Sequence, residues 1–143
     1  MFEKINVDEN YKRFPKDRLH RFFVDILTAL SVPEEDATIV ADNLIIADLR
    51  GIESHGAQRL KRYVNAIKKN TVNIKPEIKV EREGSVHALI DGDEGLGQVV
   101  SHKAMKIAIE KAKKNYFGIV CLLYTSDAAD EGLGVDLGGR RII

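Results

Sequence analysis

Four residues within GIESHGAQRLKRYV, residues 51–64, have side chains suited to handling a small acid: Ser54, His55, Arg59 and Arg62. An imidazole can donate or accept a proton near neutral pH. A guanidinium grips a carboxylate through two parallel hydrogen bonds. One turn apart, the two could hold a 2-oxo or 2-hydroxy acid, arginine on the carboxylate and histidine on the neighbouring oxygen. Ser54 could orient the imidazole or bond the substrate directly. At about 100° per residue, His55, Arg59 and Arg62 fall in one stripe, with Ala57, Leu60, Val64 and Ile67 roughly opposite. Lys61, Lys68 and Lys69 lie off that stripe. A solvated helix face would show the same residues, and their types alone leave both readings open.

The elements that must position this stripe are legible as alternating signals. RLHRFFVDILTAL places Leu19, Phe22, Phe23, Ile26, Leu27 and Leu30 at helical spacing. Pro33 followed by Glu34 and Glu35 restarts the chain, since proline early in a helix loses no useful bond and acids suit the positive end of the dipole. Ala37, Val40, Ala41, Leu44 and Ala47 continue a second helix toward Arg50, which Gly51 should end. Ser54 is a plausible N-cap for a third helix reaching about Asn70. PEIKVERE and SVHALIDGD read as two strands around a turn at Glu83, Gly84 and Ser85. Helical spacing returns from Gly97, with Val100, Ala104, Ile107, Ala108 and Ala112 on one face and Lys103, Lys106, Lys111, Lys113 and Lys114 mostly on the remainder. FGIVCLL reads as a further buried strand. Helices and strands are mixed, so the class is α/β or α+β.

Composition removes several function classes. The 22 basic and 22 acidic side chains of this 143-residue chain balance, so no general attraction to nucleic acid or an anionic membrane is implied. No apolar run approaches the length of a membrane span, and the first residues lack the apolar core of a secretory signal. The single cysteine, Cys121, allows no disulfide framework and no cysteine-based zinc site within one chain. A cytoplasmic setting is the default expectation. The histidines His20, His87 and His102 show no recognisable metal spacing, so no metal site is expected. DGDEGLGQ, residues 91–98, fails as a dinucleotide fingerprint because Val100 stands where the third glycine belongs. It fails as a calcium loop because Leu96 and His102 replace the turn glycine and the bidentate glutamate. A tight strand-to-helix turn is the plainer reading.

The last residues are expected not to be native protein. Back-translated in one frame, CLLYTSDAADE resembles the end of a transposase-type DNA sequencing adapter, and VDLGGRRII resembles its remainder, in the right order. Residues 1–120 are therefore read as the domain and residues 121–143 as a non-native tail. Without that tail, 20 basic and 18 acidic side chains remain, which leaves the charge unremarkable.

ADLRGIESHGAQRLKRYV, with VHALIDGDEGLGQVVSHKAMKIAIEKAKKNYFGIV after it, resembles the N-terminal part of the malate/L-lactate dehydrogenase family. This is the group without a Rossmann domain, which also includes ureidoglycolate, sulfolactate and diketogulonate enzymes and cyclic imine reductases. SHG-x-x-RL and DG-x-x-GLGQ in this order carry the resemblance, which covers residues 19–120 and implies, beside the plain turn, a second reading of residues 91–98 as lining of the active-site cleft. It implies an α/β fold of N-terminal helices plus part of a mixed sheet, truncated here. It also implies hydride transfer between NAD or NADP and C2 of a small 2-hydroxy or 2-oxo acid, and a homodimer. In the family the histidine of SHG serves as proton donor in some members, the preceding serine can join its relay, and the arginine contacts the substrate acid. Those roles fall on His55, Ser54 and Arg59. Arg62 is carried over with less ground, since that position can serve shape or charge instead. Members continue after the strand matching FGIV into an Asn-His segment, where this chain has CLLYTSDAADE. The cofactor-binding region is also missing, so the cofactor residues are unassigned and the chain by itself is expected to be inactive.

Two rivals remain at this stage. A cyclic imine reductase of the same fold would use the same acid to protonate nitrogen. A non-catalytic helical interaction module, complete at this length, would use the stripe for binding alone.

Overall fold

The computed structural model describes residues 13–123. Four helices and three strands follow in the order α1 (Lys16–Ala29), α2 (Glu34–Leu49), α3 (Leu60–Lys68), β1 (Lys79–Glu83), β2 (His87–Asp91), α4 (Gly97–Asn115) and β3 (Ile119–Leu123). The resulting helix-rich α/β arrangement agrees with the class expected from the sequence.

The helix ends are set by backbone chemistry that the sequence partly announces. After α1, the Ser31 N–H bonds Thr28 O and the Val32 N–H reaches back to Leu27 O, while Ser31 takes φ 66°. That is a Schellman close, with buried Val32 as its apolar contact. Gly51 (φ 73°) and Ile52 end α2 the same way, bonding Asp48 O and Ala47 O. Asn70 (φ 53°) and Thr71 repeat the pattern after α3. Glycine and asparagine suit the left-handed position; at Ser31 it is occupied at some steric cost.

Helices α1 and α2 pack as a pair. Phe23, Leu27, Val40 and Leu44 are the fully buried centre, and Leu60, Ile67, Leu96 and Val99 join it from α3 and the start of α4. Each fully buried aliphatic or aromatic side chain of this size contributes about 1.5–3 kcal/mol through removal from water. His20 and Asp42 also meet across the α1–α2 seam, with Nε2 and Oδ1 3.0 Å apart. The imidazole is not oriented to make that contact a hydrogen bond.

The sheet has the order β1-β2-β3. Strands β1 and β2 form an antiparallel hairpin with a register irregularity between Val80 and Arg82. Strand β3 returns parallel to β2 after the α4 crossover, with His87 opposite Ile119 and Asp91 opposite Leu123. Ala88 and Ile90 of central β2 are buried, as are Val100 and Ala104 of α4.

Three expectations need correction. FGIVCLL does form a strand, but Ile119 and Leu123 are 48% and 43% exposed. Among the described residues β3 is a sheet edge, paired on one side only. Lys111 does not decorate the exposed face of α4: it is 8% exposed, and its Nζ donates to Glu83 Oε1 (2.8 Å) and Gly84 O (2.7 Å). The hairpin turn folds onto α4 at that position and takes the ammonium as its anchor. Ser54 is not the N-cap of α3, for a reason that belongs to the site. Within β3, Cys121, Leu122 and Leu123 pair with Leu89, Ile90 and Asp91.

Candidate active site

The segment between α2 and α3 is two short 3-10 turns, Glu53–His55 and Ala57–Arg59, rather than the start of a helix. Gly56 separates them with an extended ψ of −146°. A Cβ there would lie 1.6 Å from Asp48 Oδ1, so only glycine fits. The Ala57 N–H donates to Asp48 Oδ2 at 2.8 Å. The carboxylate that closes this turn thus comes from the last turn of α2, and Ser54 is released from capping.

Ser54 is turned to its neighbour instead. Its Oγ lies 3.0 Å from His55 Nδ1, and which of the two donates depends on the imidazole tautomer. With Nδ1 engaged, proton exchange at His55 falls to Nε2. A hydroxyl donating to Nδ1 favours an Nε2 that carries the proton, and one accepting from it favours a basic Nε2. The Arg59 Nε donates to the carbonyl of Ser54 at 2.6 Å, which ties the guanidinium to the turn that carries the imidazole. His55 and Ser54 are exposed, and Arg59 is half-buried.

Although the helix is broken, His55, Arg59 and Arg62 line one open cleft of about 970 Å³. Its opposite wall is the strand-to-helix turn and first turns of α4, with Gly97, Gln98, Ser101 and His102. The Gln98 amide donates to the Tyr63 hydroxyl and joins α3 to α4 across the cleft floor. Among the described residues lining the cleft are two arginines and two histidines and no carboxylate. Two other depressions, about 360 and 540 Å³, lie beside α1 and between the hairpin and α4, away from these groups.

Sequence reasoning did not single out Tyr63, Ser101 or His102 for this cleft. A signal existed for Gln98 in the DG-x-x-GLGQ motif, but the partner Tyr63 is 35 residues away and could not be paired from spacing. The motif itself is the tight turn expected. Asp93 (φ 49°) and Glu94 (φ 53°) carry it, the Asp93 N–H bonds Asp91 Oδ1, and Asp93 Oδ2 accepts from Asn73 Nδ2 and the Glu77 N–H. The Asp91 carboxylate is thus engaged within the turn, and that of Asp93 ties the turn to the 73–77 segment. Pro76 occupies the space where a Cβ of Gly95 would sit. Gly95 therefore serves chain packing. No group of three or more His, Cys, Asp or Glu placed to hold a metal ion occurs among the described residues.

The turn thus brings a serine-paired imidazole and an anchored arginine to one cleft. The chain belongs to the malate/L-lactate dehydrogenase family, whose sequence pattern it matches over residues 14–128. It is 57% identical to a malate dehydrogenase of Pyrococcus abyssi over 152 aligned residues, covering 99% of this chain and 42% of that protein. It is 49% identical to an L-sulfolactate dehydrogenase of Methanocaldococcus jannaschii over 100 residues, covering 70% of this chain and 29% of the other. The structure of malate dehydrogenase from Pyrococcus horikoshii superposes with a TM-score of 0.82 at 66% identity, over 85% of this chain and 35% of that one. The chain thus spans well under half the length of these relatives.

Proposed function

We propose that this chain forms the acid-handling part of an NAD(P)-dependent dehydrogenase for small 2-hydroxy and 2-oxo acids, completed by sequence beyond the described residues. Its family membership supports the reaction class. The observation that carries the reading is the turn in which Ser54 engages His55 while Arg59 is anchored to the Ser54 carbonyl, facing a cleft that His55, Arg59 and Arg62 line together. In this reading Arg59 binds the substrate C1 carboxylate. His55 Nε2 takes the proton from the C2 hydroxyl on oxidation or returns it on reduction, and Ser54 keeps the imidazole in the working tautomer. Arg62 adds a second guanidinium to the cleft, which favours a substrate with a second acidic group, as in malate, over lactate. The nicotinamide partner, NAD or NADP, would be held by residues not yet assigned, and the protein would work as a cytoplasmic homodimer.

The test is a substrate panel on the full-length protein with either cofactor. Activity on malate or oxaloacetate, with a higher kcat/KM than on lactate or pyruvate, is the expected result. Turnover of a cyclic 2-imino acid without turnover of any 2-oxo acid would move the assignment to a cyclic imine reductase, and no turnover of either would leave a binding module. We also hold that residues 121–143 are adapter-derived. Reading the source locus through the codon for Val120 checks this: a frame continuing into an Asn-His segment agrees, whereas CLLYTSDAADE followed by a stop after Ile143 contradicts it.

A further inference from the structure

Two bonds of its own side chains span the turn that carries the proposed chemistry, Arg59 Nε to the Ser54 carbonyl and Gln58 Nε2 to the Glu53 carbonyl, but neither holds its backbone junction. Ser54 Oγ is committed to His55, and neither 3-10 turn has a side-chain cap of its own. Gly56 closes each turn separately, its N–H donating to Glu53 O and its carbonyl accepting the Arg59 N–H, so the backbone bonding is interrupted between the turns. What bridges the interruption is Asp48, half-buried on the last turn of α2. One carboxylate oxygen accepts the Ala57 N–H at 2.8 Å, and the other fills the space beside Gly56 where a side chain would project. The Asp48 backbone is fixed as well, because its carbonyl accepts the Gly51 N–H in the close of α2. The carboxylate is therefore a rigid strut between the end of α2 and the junction of the two turns. His55 lies on one side of that junction and Arg59 on the other.

From this contact, and resting on the functional reading above, we infer that Asp48 is a positioning residue. It sets the relative placement of the His55 imidazole and the Arg59 guanidinium by locking the Gly56–Ala57 junction, without itself touching the substrate. The pairing explains why the junction requires both a glycine and a carboxylate nine residues earlier. Removing either should misplace the two groups relative to each other while the helices, held by their own apolar core, stay folded.

The test combines amide hydrogen exchange with steady-state kinetics on the full-length protein. Asp48→Ala is expected to deprotect the Ala57 amide. It should lower kcat/KM for the 2-hydroxy acid about 100-fold, the order of loss that a misplacement of about 1 Å produces. A rise in substrate KM should accompany the loss, with the KM for the nicotinamide cofactor unchanged. Asp48→Asn keeps a side-chain acceptor oxygen and should recover most of the activity. Gly56→Ala should reproduce the loss, and the double variant should be no worse than either single one, because both changes act on one contact. Additive losses, or a loss that follows only the folded fraction at constant substrate KM, would overturn the inference. So would an Ala57 amide in the unaltered protein that exchanges as freely as its exposed neighbours. If Asp48→Ala deprotects Ala57 but the unaltered protein turns over no 2-hydroxy acid, the functional reading fails and the locking role stands.

Discussion

Lys111 is the buried charged side chain of the described core, and replacing it with methionine tests how the hairpin is fastened to α4. Methionine keeps the unbranched stem and removes the ammonium. Two hydrogen bonds are lost, to the Glu83 carboxylate and the Gly84 carbonyl. Bonds to a charged group each contribute about 1.5–3 kcal/mol, against several kcal/mol to take the ammonium out of water. Because the Glu83 side chain is 61% exposed, it can rehydrate once the lysine is gone. The net loss at Lys111 should therefore be small for a buried charge, about 1–2 kcal/mol. Equilibrium denaturation gives the total, and hydrogen exchange along β1 and β2 locates it. The pH dependence supplies an independent check. The Lys111 hydrogen bond, and then its charge, hold the Glu83 carboxyl below the ordinary 4.5. A carboxyl lowered in the folded state stabilises above its unfolded value, and that contribution is lost as pH falls through the folded one. The gap between the parent and Lys111→Met should thus be full at neutral pH and shrink as acid is added below about 4.5. A gap that is constant with pH, or a hairpin that exchanges no faster in the variant, would refute the reasoning.

Other perturbations follow from the same structure. Leu44 is 1% exposed at the centre of the α1–α2 core, and Leu44→Ala should cost about 2–5 kcal/mol in a denaturant titration. Asp36 titrates above its ordinary 3.8, first because burial disfavours its charge and second because Glu35 is close, with Lys103 opposing both. A carboxyl raised in the folded state costs stability once pH exceeds its unfolded value. Asp36→Asn should therefore raise Tm at neutral pH and lose that advantage in a pH series taken below 3.8. Arg62→Ala should raise the KM for malate more than for lactate, and an equal effect on both would remove Arg62 from the discrimination.

Much of this fold was legible in the sequence because its signals are local. The apolar stripe of Leu19, Phe23 and Leu27, the stop at Gly51 and the restart at Pro33 all act within one or two turns. The helical wheel also put His55, Arg59 and Arg62 on one side, and all three do line one cleft. The mechanism of that grouping was different, however. A wheel assumes an unbroken helix, whereas Gly56 breaks this one and the Arg59–Ser54 bond restores the proximity. The break was illegible because its cause is a contact between Asp48 and a backbone amide nine residues on. The same holds for Lys111, whose burial depends on a hairpin turn arriving 27 residues earlier in the chain. His102 and Gln98 reach the cleft because α4 packs against α2 and its Gln98 amide reaches Tyr63 of α3, which no local periodicity encodes.

The most direct test of the account is the steady-state kinetics of the full-length protein beside Arg59→Ala and Arg59→Lys, with malate as substrate. Loss of a bidentate guanidinium–carboxylate contact should raise KM and reduce kcat/KM by about 10²-fold in Arg59→Ala, with only partial recovery in Arg59→Lys, because an ammonium cannot reproduce the fork. Unchanged KM and kcat in Arg59→Ala would contradict the central claim and take the arginine, and with it the proposed acid-binding turn, out of the mechanism.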